Sequence, residues 1–178
     1  DRAFAIGVTL NAGFVLVEWG YGVLANSLAL IADASHNFGD VLGLLLAWGA
    51  AALARRQPSP RFTYGLRSST ILAALANAAL LLVITGGIAW EAILRFRNPA
   101  HIDAPVVIWV AVLGIVVNTG TALLFKSGHK DDMNVRGAYL HMLADAAVSL
   151  GVVVTGLLTL ATGWTWLDPV VSIGIVSV

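Results

Sequence analysis

The stretch ILAALANAALLLVITGGIAWEAI, residues 71–93, is almost entirely apolar and does not alternate in polarity. As a helix, a chain needs roughly 20 apolar residues to cross a hydrocarbon core of about 30 Å. A membrane β-barrel would instead need segments of about ten residues that alternate between apolar and polar. Residues 71–93 therefore predict a transmembrane helix.

Similar apolar runs occur along the rest of the chain, and the last of them ends after about half a span. In addition to residues 71–93, the apolar runs are residues 3–24, 28–53, 106–125, 135–160 and 167–178. The predicted fold class is all-α: a polytopic membrane protein with a six-helix bundle whose sixth helix is incomplete. Residues 1–178 form one transmembrane domain in this prediction. Because the sequence starts at Asp1 and stops within an apolar run, we interpret it as part of a longer protein.

The composition supports a membrane protein and excludes several other classes. Hydrophobic residues make up 58% of the 178 residues and charged residues 11%, and the mean hydropathy is +0.86. These values differ from those of an ordinary soluble domain. The formal net charge is zero, so no nucleic-acid partner is expected. The absence of cysteine excludes disulfides, thiolate metal sites and cysteine nucleophiles.

The basic residues predict an orientation, because cytoplasmic loops are richer in Lys and Arg than loops on the opposite side. Arg95 and Arg97 lie on one side of the predicted membrane. All other basic residues lie on the opposite, cytoplasmic side: Arg2, Arg55, Arg56, Arg61, Arg67, Lys126, Lys130 and Arg136. Both termini are then cytoplasmic once the sixth helix is complete. We expect the membrane to be the inner membrane of a bacterium.

Ionisable residues inside two predicted helices indicate a function. The second helix contains Asp33, His36 and Asp40, and the fifth contains His141 and Asp145. Each charged group near the centre of a membrane helix costs roughly 2.5–3.5 kcal/mol on insertion scales. Such groups therefore need interaction partners within the membrane or a function that depends on them.

The spacing of these residues favours a metal site. His36 and Asp40 are four residues apart, as are His141 and Asp145, so each pair projects from one helical face. Two such faces supply two imidazole nitrogens and two carboxylates, which suits tetrahedral zinc. Two separate His–Asp hydrogen bonds that help helices pack are the alternative. By depth, the first pair lies about 12–20 Å from the outer end of its helix and the second about 8–14 Å beyond Arg136. The two pairs become level only if one helix is shifted along the other.

Other polar residues in the predicted helices are candidates for supporting roles. Asp33 shares a face with His36 and Asp40, so it is either a hydrogen-bond acceptor for a metal-bound imidazole or a carboxylate near the outer interface. Asn11 and Asn118 line a cavity or bond across helices, and packing is the favoured interpretation. Glu18 is a candidate for the ion path.

Three segments resemble the cation diffusion facilitator family over essentially the whole chain. They are NSLALIADASHNFGD (residues 26–40), RFTYGLR (residues 61–67) and NVRGAYLHMLAD (residues 134–145). EAILRF (residues 91–96) and Asp168-Pro169 are similar too. The resemblance implies a homodimeric exporter that moves divalent metal out of the cytoplasm in exchange for protons, by alternating access. It also implies that His36, Asp40, His141 and Asp145 are the transport-site ligands. Zn²⁺ is the implied cargo, with Cd²⁺ and Co²⁺ as further candidates.

The sequence departs from the family pattern in three places. The loop between the fourth and fifth helices, which is His-rich in some members of the family, keeps only His129 with Asp131 and Asp132. The soluble cytoplasmic domain that the resemblance implies after the sixth helix is absent from this chain. The loop from Arg55 to Arg67 contains no His or acidic residue, which argues against an accessory metal site there.

Other functions remain open on the residues alone. An organic-cation/proton antiporter could use the carboxylates as counter-ions. A membrane metalloenzyme would need an open coordination position beside a general base, as in His-Glu-x-x-His, and this motif is absent. A scaffold without transport activity would leave the buried charges unexplained. We expect a transporter and not an enzyme.

Overall fold

The computed structural model describes residues 2–54, 69–125 and 133–177, and all regular structure in these ranges is helical. The helices are α1 (Arg2–Leu24), α2 (Leu28–Ala54), α3 (Ser69–Arg97), α4 (Ala104–Phe125), α5 (Met133–Thr162) and α6 (Leu167–Val176). The predicted all-α fold is confirmed, and most helix ends agree within two residues. The exception is α3, which continues to Arg97, four residues beyond the prediction, because Arg95 is held in place by the neighbouring α1–α2 turn.

Four helices of the described residues are long and apolar enough to cross a membrane: Ile6–Leu24, Ser69–Arg97, Ala104–Leu124 and Val135–Thr162. With 27 residues, α2 also has the length that a bilayer crossing needs. The shorter α6 is an apolar helix of 10 residues. The chain is therefore an integral membrane protein.

The distribution of polarity is the reverse of that in a soluble bundle. Large apolar side chains cover the outside, with Trp48 77% exposed and Trp109 73% exposed. Glu18, Asp33 and Asn118 are fully buried between helices. Lipid favours this arrangement, because the outer surface faces hydrocarbon while ionisable groups face the interior.

The connections α1–α2 (residues 25–27), α3–α4 (98–103) and α5–α6 (163–166) meet at one end of the bundle, here called the closed end. Asn26 there adopts a left-handed conformation with φ 56°. Its side-chain amide donates to the carbonyl of His101 (3.1 Å), and the Arg95 guanidinium donates to its carbonyl (2.6 Å) and side-chain oxygen (2.7 Å). The Asp103 N–H donates to the carbonyl of Ala25 at 3.0 Å. Consecutive helices are thus antiparallel.

The opposite end of the bundle, here called the open end, is where α2 ends, α3 begins, α4 ends and α5 begins. The basic residues that predict the orientation belong largely to this end, but most lie outside the described residues: Arg55, Arg56, Arg61, Arg67, Lys126 and Lys130. The cytoplasmic location of this end stays a prediction.

The start of α2 is capped by a residue of α6. The first N–H groups of a helix lack partners within it, and α2 has no acidic residue in its own first turn. Asp168, 2% exposed, accepts hydrogen bonds from the N–H groups of Leu28 (2.7 Å) and Ala29 (3.2 Å) and from the hydroxyl of Ser27 (2.5 Å). This carboxylate fixes the position of α2, which carries half of the predicted metal ligands.

Candidate metal centre

The two predicted His–Asp pairs meet where α2 crosses α5. Nε2 of His141 lies 3.0 Å from Oδ2 of Asp40. The sequence predicts that the two pairs lie at different depths. In the structure, His141 faces Asp40. His141 lies one turn nearer the open end than Asp145, and Asp40 lies one turn nearer the same end than His36. The two pairs are therefore offset by little at the crossing.

Asp40 is the centre of this group. Its Oδ2 also lies 3.8 Å from Nε2 of His36, and Nε2 of His141 lies 3.7 Å from Oδ2 of Asp145. Four ligand atoms placed tetrahedrally at 2.0–2.1 Å from a zinc ion would be about 3.3 Å apart. The three observed separations lie within about half an ångström of that value, so zinc could be held after a small contraction.

The four side chains of His36, Asp40, His141 and Asp145 do not form a complete coordination sphere in this structure. The ring centroids of His36 and His141 are 6.2 Å apart. Among residues 2–54, 69–125 and 133–177, no three His, Asp or Glu side chains are arranged to hold a metal ion as they stand. Metal binding therefore requires the histidine rings to move inward, and ligation by the four residues stays a prediction.

The four side chains differ in access. His36, Asp40 and His141 have side chains that are 36%, 34% and 39% exposed, whereas that of Asp145 is 2% exposed. A cavity of about 660 Å³ reaches Asp40 and His141 and is also lined by Asn11, Asn77, Thr121 and Gly137. These lining residues belong to the helix halves nearest the open end. The cavity therefore contacts Asp40 and His141, and Asp145 is not among its lining residues.

The structure separates the other candidate residues into two groups. Asn11 lines the cavity, while Asn118 is fully buried and neither atom of its amide makes a hydrogen bond. Asp33 accepts hydrogen bonds from Asn37 (3.4 Å) and Ser149 (3.1 Å) and from neither histidine ring.

Glu18 belongs with Asp33 and not with the cavity. It is fully buried and lies close enough to Asp33 and Asn37 to interact with them electrostatically. The predicted ion-path residue thus lies on the closed-end side of the four ligands.

Sequence reasoning missed two residues that hold Asp33, namely Asn37 and Ser149. Both are fully buried. Their spacing contained a signal, because Asn37 follows Asp33 by four residues and Ser149 follows Asp145 by four, which places each on the same helical face as its predecessor. Asn77 of the cavity carries no comparable signal, because it is an isolated polar residue in an apolar run. Thr121 follows Asn118 by three residues, which places the two near one helical face.

The fold is thus a bundle of apolar helices in which two His–Asp pairs face each other. The chain belongs to the cation efflux family: the family model described as the cation efflux transmembrane domain matches residues 4–178.

Individual relatives specify the family further. The chain is 44% identical over 171 residues to the zinc transporter ZitB of Escherichia coli, covering 96% of this chain and 54% of that protein. It is 36% identical over 174 residues to the cadmium, cobalt and zinc/H(+)-K(+) antiporter of Bacillus subtilis (97% and 56%). It is also 36% identical over 173 residues to the metal cation efflux system protein CzcD of Cupriavidus metallidurans (97% and 55%). These relatives are named as transporters or efflux systems and not as enzymes. The chain spans slightly more than half the length of the relatives it matches.

Proposed function

We propose that the protein exports Zn²⁺ from the cytoplasm in exchange for protons, by alternating access, with His36, Asp40, His141 and Asp145 as the transport site. The observation that carries the proposal is the convergence of two imidazole nitrogens and two carboxylates, with Asp40 Oδ2 3.0 Å from His141 Nε2, beside a cavity. The zinc transporter named among the relatives supports this cargo.

Charge balance supports the exchange for protons. Two carboxylates neutralise one divalent ion, whereas the empty site would leave two negative charges in a medium that solvates them poorly. Metal binding needs carboxylates and neutral imidazoles, so loading displaces the protons that occupy the empty site. The name of the Bacillus subtilis relative includes H(+) as an exchanged ion.

The cavity supports loading from the cytoplasm. It is formed by helix halves at the open end, where residues 55–68 and 126–132, which contain six of the ten Lys and Arg residues, join the helices. By the excess of Lys and Arg in cytoplasmic loops, this end faces the cytoplasm of a bacterial inner membrane. We further infer assembly as a homodimer, which the family resemblance implies and which cross-linking in native membranes tests.

The test of this function is zinc uptake into proteoliposomes with an imposed pH gradient. We expect the wild type to move zinc against the proton flux, and Asp145→Ala to lower the rate by at least about tenfold, because the buried ligand is lost. Glu91→Gln, a glutamate of α3 outside the site, is the matched control and should transport normally. Equal rates for Asp145→Ala and wild type would remove Asp145 from the transport site.

His36→Asp is expected to broaden the range of ions transported. Imidazole suits zinc and similar ions, while an additional carboxylate suits harder ions such as manganese. Transport of Mn²⁺ or Cd²⁺ relative to Zn²⁺ should rise by at least about threefold. Competition assays with paired metals measure the ratio. If the transport rates of all ions fall by the same factor, His36 does not determine selectivity. If organic cations are still transported after either histidine is removed, the carboxylates alone support transport.

A further inference from the structure

A second polar cluster lies beside the proposed transport site, with Asp33 and Ser149 on its closed-end side. Its members are Glu18 of α1, Asp33 and Asn37 of α2, and Ser149 of α5, and all four are fully buried. The Ser149 hydroxyl donates to Oδ2 of Asp33 (3.1 Å), and the Asn37 amide donates to Oδ1 of Asp33 (3.4 Å). Three helices thus direct polar groups to one point between them.

This cluster has more acceptors than donors. No donor group lies in hydrogen-bonding geometry to either side-chain oxygen of Glu18 or to Oδ1 of Asn37, although Glu18 is close enough to Asp33 and Asn37 to interact with both. Two carboxylates can hydrogen-bond to each other only through a shared proton, so Glu18 and Asp33 face each other as acceptors when neither a proton nor a cation lies between them. Buried acceptors are normally satisfied, and an unpaired buried carboxylate is strongly unfavourable. Among the described residues, no Lys or Arg forms an ion pair with either carboxylate.

The position of the cluster continues the route from the cavity. Asp33 precedes Asp40 by seven residues of α2, which is about 10.5 Å along the helix toward the closed end. Ser149 lies one turn beyond Asp145 in the same direction. Asp145 itself is 2% exposed, and its Oδ2 makes no hydrogen bond. Carboxylates therefore follow one another from the accessible Asp40 through Asp145 to Asp33 and Glu18.

We propose that Glu18, Asp33, Asn37 and Ser149 form a second divalent-cation subsite, which receives the ion after it leaves the transport site and before it leaves the protein. The inference rests on the proposed function. Its ligands are the two carboxylates, the amide oxygen of Asn37 and the hydroxyl oxygen of Ser149. The two carboxylates neutralise a divalent charge, as the two in the transport site do.

The subsite differs from the transport site in its chemistry. It offers oxygen ligands only, and such sets suit hard cations with flexible geometry and discriminate less in favour of zinc. A less selective subsite allows a zinc ion that has been chosen by the imidazoles to be released toward the outside. Selection and release are then assigned to different residues.

Manganese(II) is the probe that separates the two sites, because it favours oxygen ligands and is detected by electron paramagnetic resonance. The test uses Asp40→Asn/His141→Ala, in which the transport site is disabled on its cavity side. This parent variant should still bind one Mn²⁺ per chain. Adding Glu18→Gln should weaken that binding by at least about tenfold, because half of the ligand charge is lost. Adding Ser149→Ala should weaken it less, and adding Glu91→Gln, the control, should leave it unchanged.

Two results would overturn the subsite: no bound Mn²⁺ in the parent variant, or equal Mn²⁺ affinity with and without Glu18→Gln. Circular dichroism verifies that each variant is folded, and Ser149→Ala tests the same ligand set without altering charge. The measurement is independent of zinc transport by the wild type. If the wild type fails to transport zinc while Mn²⁺ binding depends on Glu18, the proposed function is wrong and the binding site remains. If the wild type transports zinc while Mn²⁺ binding does not depend on Glu18, only the subsite is wrong.

Discussion

Asp40→Ala should weaken equilibrium binding of Zn²⁺ by at least about 100-fold, since losing one partner of a charge-paired site costs about 3 kcal/mol and every 1.4 kcal/mol is tenfold in affinity. Oδ2 of Asp40 is the atom closest to both histidines, at 3.0 Å from His141 and 3.8 Å from His36. Removing it leaves three ligands and a metal charge that Asp145 only half neutralises. We take the lower end of the energetic range because the side chain is 34% exposed.

Isothermal titration of the purified protein measures this effect. Asn77→Ala is the matched control, because Asn77 lines the same cavity but belongs to α3, which carries none of the four ligands. Its zinc affinity should stay within about twofold of the wild type, as for a side chain that is not a ligand. If Asp40→Ala binds zinc as tightly as Asn77→Ala does, Asp40 is not a ligand and the site lies elsewhere.

Asp168→Ala should lower the free energy of unfolding by about 3–5 kcal/mol, because three buried donors lose their acceptor and each unsatisfied group costs about 1–3 kcal/mol. The donors are the Ser27 hydroxyl and the N–H groups of Leu28 and Ala29. Asp168→Asn should cost less, since its side-chain carbonyl still accepts from one or two of them.

Unfolding by a denaturing detergent, followed by helical circular dichroism, measures the loss. Ser172→Ala is the control on the same helix: Ser172 is also fully buried, but its hydroxyl donates only to the nearby carbonyl of Pro169. We expect a change below about 1.5 kcal/mol there, the value of one ordinary hydrogen bond. A loss no larger for Asp168→Ala than for Ser172→Ala would mean that the cap does not stabilise α2.

The features that sequence predicts here are local ones. Apolar runs longer than a bilayer crossing predict the helices, because length and composition decide whether a segment crosses a membrane. Four-residue spacing predicts that His36 and Asp40 share a face, and likewise His141 and Asp145. Neither signal depends on how the helices are arranged relative to one another.

The features that sequence does not predict depend on helix crossing. The depth estimate could not bring the two pairs level, because the contact between Asp40 and His141 is determined by where α2 meets α5. The bond from Asp168 to the start of α2 joins residues 140 positions apart and has no periodic signature. The Ser149 contact with Asp33 is similar: the spacing gives the face of each helix, and only the packing gives the partner.

The unequal exposure of the four ligands has an electrical consequence. A cavity filled with water stays close to the potential of the compartment it opens to, so the membrane voltage falls across the dry part of the protein. The stretch of α2 from Asp40 to the start of the helix measures about 18 Å. An elementary charge that crosses 100 mV gains or loses about 2.3 kcal/mol. In the proposed export cycle, a divalent ion that reaches Asp40 through the cavity has crossed little of this field. The voltage would then act on its onward movement past Asp145 and Asp33 and hardly at all on its capture.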